Sequence, residues 1–212
     1  YQFHDTSDEA KIRKSGYIED AAHLRGNGGN LAAYLYALQQ TQSAHYDRIQ
    51  RTIRQVCPQF GEFVLSPSPR NDKYILLNWR QAHGPDYLMG PHQLSDGTLR
   101  FMALATLLLQ PRERLPSVIV LDEPELGLHP SAISVLADLV RAVAPQSQVI
   151  MATQSPTLVN HFPLGQIRPI EFRDWRSVFL ELRADEYESW LDDYTTGELW
   201  QKDVFGGGPR HG

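Results

Sequence analysis

The 212-residue sequence predicts an α/β fold: a mostly parallel core sheet with a helical and antiparallel insertion. Three observations carry this reading. Val118-Ile119-Val120-Leu121 is a continuous apolar, largely β-branched run ending in Asp122-Glu123, the pattern of a strand buried on both faces. A helical stretch and a second run of this kind, Val149-Ile150-Met151, come next, so strand, helix and strand alternate as they do around a parallel sheet. Upstream, two helical periodicities and several short β-like runs are separated by turn signals.

Residues 1–29 read as a mostly irregular lead-in with Gly26, Gly28 and Gly29 close together. Leu31, Leu35 and Leu38 then recur at helical spacing, with Asn30 as the expected N-cap. A second helix is predicted from Ala44 to Val56, with Tyr46, Ile49, Ile53 and Val56 on one face and Pro58 ending it. Glu62–Leu65, Tyr74–Trp79 and Asp86–Met89 predict a small antiparallel sheet, their connectors marked by Ser66-Pro67-Ser68-Pro69 and Gly84-Pro85. An apolar helix follows from Thr98 to Leu109, and another from Pro130 to Val143 with proline at its first turn. Ser155-Pro156 opens a further helix, Ile167–Phe172 and Val178–Leu182 read as further strands, and Gly206-Gly207-Gly208-Pro209 reads as a frayed end. The expected organisation is a lead-in at 1–29, the insertion at 30–93, a core at 94–183 and a helical tail at 184–212.

Composition narrows the function classes. A net charge of −5 argues against a basic nucleic-acid groove over most of this surface. Cys57 is the only cysteine, so no internal disulfide forms, no Cys/His spacing suggests zinc, and a reducing, cytoplasmic setting is expected. No apolar run is long enough to span a bilayer, so no membrane partner is expected. The eight histidines show no metal spacing, and the four tryptophans read as packing residues.

The strongest chemical signal is Asp122-Glu123. Two carboxylates at the C-terminal end of a buried strand stand where ligands sit in open α/β sheets. Strand alternation points them different ways, so one can hold Mg²⁺ while the other faces a water, the two tasks phosphoryl transfer needs. The second signal is Leu94-Ser95-Asp96-Gly97-Thr98 ahead of an apolar helix, offering a hydroxyl and N–H groups to an anion. Taken alone, Ser-Asp-Gly is an ordinary helix-cap composition.

Taken together, and with Glu125-Leu126-Gly127-Leu128-His129-Pro130 and Ala152-Thr153-Gln154-Ser155-Pro156, these runs fall in the order and spacing of ABC-type ATPases. The sequence resembles their RecF/OLD/SMC-like branch, also described as AAA-family ATPases, and specifically the C-terminal lobe of that P-loop NTPase fold. His4-Asp5-Thr6 and Gly197-Glu198-Leu199-Trp200 add to the likeness.

The resemblance implies an ATP- and Mg²⁺-dependent ATPase working as an ATP-sandwich homodimer. It assigns Asp122 to the metal, Glu123 to the attacking water, and Ser95, Asp96 and Gly97 to the nucleotide of the opposite protomer. Gly127, Leu128 and His129 would lie at the dimer interface, and Gln154 at the switch position where many relatives have histidine. It also implies work on DNA, in repair or phage defence, with a nuclease effector. Two departures stand out: Asp96 where transporter ATPases have glycine, and Gln154, which donates a hydrogen bond but cannot become cationic. Arg100 is placed either to pair with Asp96 across one helical turn or to contact nucleotide.

The sequence contains no G-x-x-x-x-G-K-[ST] loop. The glycines at 26–29 lead into Asn30-Leu31, and no buried strand precedes them. The family places its phosphate loop upstream of these motifs, so that half is expected on another segment. Two rival readings stand: a transporter-type ATPase subunit, disfavoured by the insertion, and a non-catalytic interaction module, disfavoured by the intact Asp122-Glu123.

Overall fold

A computed structural model of the chain describes residues 1–207, so Gly208, Pro209 and His211 lie outside the described residues. The chain divides into two compact units, Tyr1–Ala152 and Thr153–Gly212.

In the first unit, strand β1 (Gly16–Tyr17) follows a single 3-10 turn, Lys11–Arg13. Helices α1 (Leu31–Thr41) and α2 (Ser43–Val56) come next, close to their predicted bounds. Asn30 precedes α1 but makes no side-chain cap. It is buried, and its amide instead ties the lead-in together, accepting from Arg25 N–H and donating to the carbonyls of Asp20 and His23. The loop's own unpaired backbone groups outcompete the helix end for that amide.

The insertion is antiparallel, in two sheets. Strand β2 (Phe60–Val64) pairs with β5 (Asn78–Gln81), while β3 (Pro67–Ser68), β4 (Asn71–Ile75) and β1 form the order β1-β4-β3. The expected single strand Tyr74–Trp79 is therefore broken at Leu76-Leu77, its two ends serving different sheets. Trp79 and Met89 form a one-residue antiparallel bridge, which places the expected third run beside β5.

Helix α3 (Asp96–Leu109) is apolar all round and is buried from Phe101 to Leu109, as a helix enclosed by neighbours must be. It packs against α2 and against α4 (Pro130–Val143). Strands β6 (Val118–Asp122) and β7 (Gln148–Ala152) pair in parallel, in register from Val118↔Gln148 to Asp122↔Ala152. Their connection through α4 is the expected β-α-β unit.

Burial on both faces of β6, which the apolar run predicts, is not observed. Ile119 and Leu121 are fully buried, whereas Val118, Val120 and Ile150 on the other face are 45%, 51% and 49% exposed. One face of β6 is buried and the other is bare. Ile119→Ala should cost about 2–5 kcal/mol, and Val120→Ala less than about 0.5 kcal/mol. Thermal unfolding of the two variants checks the contrast, and equal losses would contradict it.

In the second unit, α5 (Pro156–Val159) is capped by Ser155, whose hydroxyl accepts from Leu158 N–H. The predicted strands Ile167–Phe172 and Val178–Leu182 form an antiparallel hairpin, β8 (Ile170–Arg173) and β9 (Arg176–Phe179), and add nothing to the parallel pair. The cause is the two-residue turn Asp174-Trp175. Both residues have positive φ, 49° and 62°, the condition for the tight hairpin turn that suits strand twist. Trp175 is 93% exposed, a departure from the packing role expected of the tryptophans.

Helices α6 (Ala184–Leu191) and α7 (Thr196–Gln201) follow, the latter opened by a reciprocal Thr195/Glu198 capping box. Gly197 sits so close to α5 that a Cβ there would come within 2.5 Å of the Pro156 carbonyl. Leu164, Leu182, Leu199 and Phe205 form this unit's own core. Gly206 and Gly207, expected to fray, are tied down: Trp200 Nε1 donates to Gly207 O at 2.8 Å. Among the described residues, no helix is long and apolar enough to cross a membrane.

Candidate nucleotide-hydrolysis site

The carboxylate pair sits where β6 ends. Asp122 is the last residue of the strand, and Glu123 leaves it at φ +39°, in the left-handed region that non-glycine residues seldom adopt. Glu123 N–H donates to Ala152 O at 2.8 Å, which carries the pairing with β7 one residue past the strand. The reversal separates the two side chains by a backbone kink, not by simple strand alternation. Such strain costs about 1–3 kcal/mol and persists where the surroundings enforce it.

The lead-in, read in the sequence as irregular, runs along β6. Asp122 N–H donates to Tyr1 O at 3.4 Å. Gln2 Nε2 donates to Asp122 Oδ2 at 2.9 Å, and His4 Nε2 lies 2.7 Å from Asp122 O. Asp122, Glu123, His4 and Arg100 line one small cavity with Leu104 and Leu121.

Ser95 is exposed and caps α3. Its hydroxyl accepts from Thr98 N–H at 3.2 Å and lies 2.8 Å from Thr98 Oγ1. The capping role and an exposed hydroxyl at a helix N-terminus are thus both present. Asp96 is also exposed, and its partner is Arg13, not Arg100. Arg13 Nη2 reaches Asp96 Oδ1 at 2.7 Å, with the two side chains 5% and 61% exposed. The Arg13 guanidinium holds the Asp96 carboxyl below the usual carboxylate range. The sign follows: this pairing adds stability above the ordinary carboxylate pKa and loses it as pH falls through the folded value, a small effect at so exposed a group.

Arg100 instead spends its nitrogens on three backbone carbonyls and the Thr6 hydroxyl. Nε donates to Phe3 O at 3.1 Å, Nη1 to Leu126 O at 2.9 Å, and Nη2 to His4 O at 2.8 Å and Thr6 Oγ1 at 3.3 Å. One guanidinium therefore fastens α3, the lead-in and the Glu125–His129 turn together. The planar, multi-donor fork of arginine suits that task and a lysine ammonium does not.

Gly127 adopts φ +74°, and a Cβ on Gly97 would fall 2.2 Å from Gly127 O. The Ser95–Gly97 turn and the turn at Gly127 therefore touch backbone to backbone. Leu128 N–H closes that second turn on Glu125 O at 2.9 Å. His129 caps α4, its Nδ1 accepting from Ser131 N–H at 3.3 Å. Gln154 is exposed on the loop joining β7 to α5 and belongs to the second unit.

The structure thus gathers Asp122, Glu123 and Arg100 at one cavity, and sets Gly97, next to Ser95 and Asp96 in the chain, against Gly127. Sequence reasoning missed Arg13, Gln2 and the backbone of residues 3–4, because nothing in an irregular segment marks its long-range partners. Among the described residues, no group of three His, Cys, Asp or Glu side chains could hold a metal. The donor set fits Mg²⁺ in the manner of nucleotide sites, where one or two carboxylates suffice and phosphates and waters complete the shell. Asp122 is the residue that would hold it, and the ion would neutralise phosphate charge.

The family comparison bears on this geometry. Residues 2–160 match the family model described as "AAA domain, putative AbiEii toxin, Type IV TA system". The chain belongs to this AAA-domain family. Among solved structures, it is similar to one from work on ATP-driven dimerization and DNA-stimulated activation of SMC ATPases, at 16% identity and TM-score 0.55 over 75% of this chain and 96% of that one. It is also similar to an Smc head bound to the C-winged helix domain of ScpA, at 16% identity and TM-score 0.61 over 86% of this chain and 56% of that one. A third is the Smc head domain of Pyrococcus furiosus with an extended coiled coil, bound to the C-terminal domain of ScpA, at 17% identity and TM-score 0.55 over 75% and 39%. This chain thus spans nearly all of the first structure and about half or less of the other two. At such identities they show the fold alone, an α/β fold like that of Smc head domains. No match was found among curated proteins. The AAA-domain family supports an ATPase-type function for this chain.

Proposed function

We propose that this chain supplies the signature and hydrolytic half of an ATP-sandwich dimer and acts in a cytoplasmic ATPase. Glu123 orients and deprotonates the attacking water, Asp122 holds Mg²⁺, and Ser95 with Gly97 contacts the γ-phosphate bound by the opposite protomer. Gly127, Leu128 and His129 lie at the interface between protomers, and Gln154 donates to the phosphate or the water. The observation that carries this reading is the two-residue exit of β6. Asp122 ends a parallel strand, and Glu123 is turned away from it at positive φ beside Arg100.

The bare face of β6 and β7 supports the proposed partner. Parallel strands are stable with both faces covered, yet Val118, Val120 and Ile150 face outward. We assign that face to the half that carries the phosphate loop, whether on an upstream segment or on another chain. The SMC ATPases of the first similar structure are described as dimerising with ATP and being activated by DNA. We extend both properties to this chain, in DNA repair or phage defence with a nuclease effector; this last step is fold-level analogy.

The test is phosphate release and ATP-driven dimerisation of the protein assembled with its phosphate-loop half, as wild type and Glu123→Gln, with and without duplex DNA. Turnover should fall by about 10²–10⁴-fold in the variant while dimers accumulate, and DNA should raise wild-type turnover. Equal turnover in wild type and variant would remove Glu123 from the mechanism, and no response to duplex DNA would remove DNA from the reading.

A further inference from the structure

Arg13 lies outside every motif of the site, at the end of the 3-10 turn Lys11–Arg13, and is buried. Its guanidinium makes four bonds. Nε donates to Thr6 O at 2.7 Å, Nη1 donates to Pro91 O and to Leu94 O (3.2 Å), and Nη2 donates to Asp96 Oδ1 at 2.7 Å. Leu94 and Asp96 flank Ser95, so one cation grips the chain on both sides of the exposed serine. A buried guanidinium this well satisfied is fixed in place, because leaving its charge unpaired is costly.

Asp96 would otherwise set a negative charge one residue from the group that meets a triphosphate. Arg100 eases it only at a distance, since its own bonds run to Phe3, His4, Thr6 and Leu126, and its effect on the Asp96 carboxyl is smaller than that of Arg13. Among the described residues, only Arg13 forms an ion pair with Asp96.

We propose that Arg13 is a positioning residue that cancels the Asp96 charge, and that this makes an acidic signature turn compatible with a γ-phosphate in trans. The inference rests on the proposed role of Ser95. It turns Asp96 from a defect in the signature into half of a neutral pair whose other half comes from the lead-in.

The test uses the protein assembled with its phosphate-loop half in a Glu123→Gln background, with ATP-driven dimerisation followed by light scattering. Arg13→Met should require at least about tenfold more ATP for closure, the scale of one uncompensated charge near the phosphates. Adding Asp96→Asn to Arg13→Met should recover most of that loss. A purely structural Arg13 predicts no recovery, because the carbonyls of Pro91 and Leu94 remain without their donor in the double variant. A folded double variant with no recovery would overturn the proposal.

Asp96→Asn alone removes the counter-charge of Arg13 but changes a side chain that is 61% exposed and keeps the three bonds of Arg13 to backbone carbonyls, so it covers the case in which Arg13→Met does not fold. With Arg13 left unopposed beside Ser95, closure should need less ATP than in the parent. An unchanged or higher requirement overturns the proposal. If the Glu123→Gln parent forms no dimer at any ATP concentration, the reading of Ser95 falls and this inference with it; a parent that closes, with variants that fail the pattern, refutes Arg13 alone.

Discussion

Glu123→Gln in the protein assembled with its phosphate-loop half should lower the ATP turnover rate by about 10²–10⁴-fold, the usual contribution of a positioned general base. Gln keeps the length and shape of Glu, so the positive-φ exit from β6 and the Glu123 N–H bond to Ala152 survive the change. What is lost is the capacity to accept the water's proton. Binding precedes that step and does not use it, so nucleotide should still bind and the closed dimer should accumulate. Single-turnover phosphate release and gel filtration with ATP read the two effects separately. A variant that turns over like wild type would refute the assigned base, and one that neither turns over nor closes would place Glu123 in binding.

Gly97→Ala should be nearly as damaging by a different route. Helix propensity alone favours the change, since Gly97 lies in the first turn of α3 and alanine is worth up to about 1 kcal/mol over glycine in a helix. Packing opposes it. The new Cβ would fall 2.2 Å from Gly127 O, a backbone atom that cannot swing aside as a flexible side chain can. Overpacking of this kind costs about 1–3 kcal/mol or more, so the clash wins.

Relief requires the Ser95–Gly97 turn or the Gly127 turn to move, and Arg100 Nη1 is bonded to Leu126 O in that second turn. The proposed trans contact and the proposed dimer interface are then disturbed together. Turnover should fall by at least about tenfold, because displacement of about 1 Å can cost 10²-fold. Thermal unfolding and phosphate release check the two halves of this expectation. A variant with unchanged stability and turnover would show that the close approach is unimportant.

The sequence made the local elements of the site legible and their long-range partners illegible. The β-branched run Val118–Leu121 revealed its strand, and Asp122-Glu123 the point where that strand ends, because both signals lie within seven residues. The same run implied a cover on both faces that this unit does not provide. Apolar content reports the environment a strand is adapted to, while exposure of Val118 and Val120 depends on which layers are present. Tyr74–Trp79 was readable as β but not as a strand divided at Leu76-Leu77, since register depends on partners far along the chain.

Asp174-Trp175 closes a tight hairpin with neither the glycine nor the asparagine that normally marks such a turn, so the sequence shows its two strands but not that they pair with each other. Arg13 and Arg100 illustrate the limit most sharply. Helical spacing put Arg100 within reach of Asp96, yet Arg13, 83 positions away in sequence, took that carboxylate. A buried cation that also satisfies three backbone carbonyls has a geometry no local pattern records.

The central claim is that these 212 residues hold the hydrolytic pair and the trans-acting serine but not the phosphate-gripping loop. Calorimetric titration of the chain with Mg·ATP, alone and assembled with the phosphate-loop half, tests it most directly. The account predicts binding no tighter than about millimolar for the chain alone, about −4 kcal/mol, and far tighter binding for the assembly. Micromolar or tighter binding by the chain alone would contradict it.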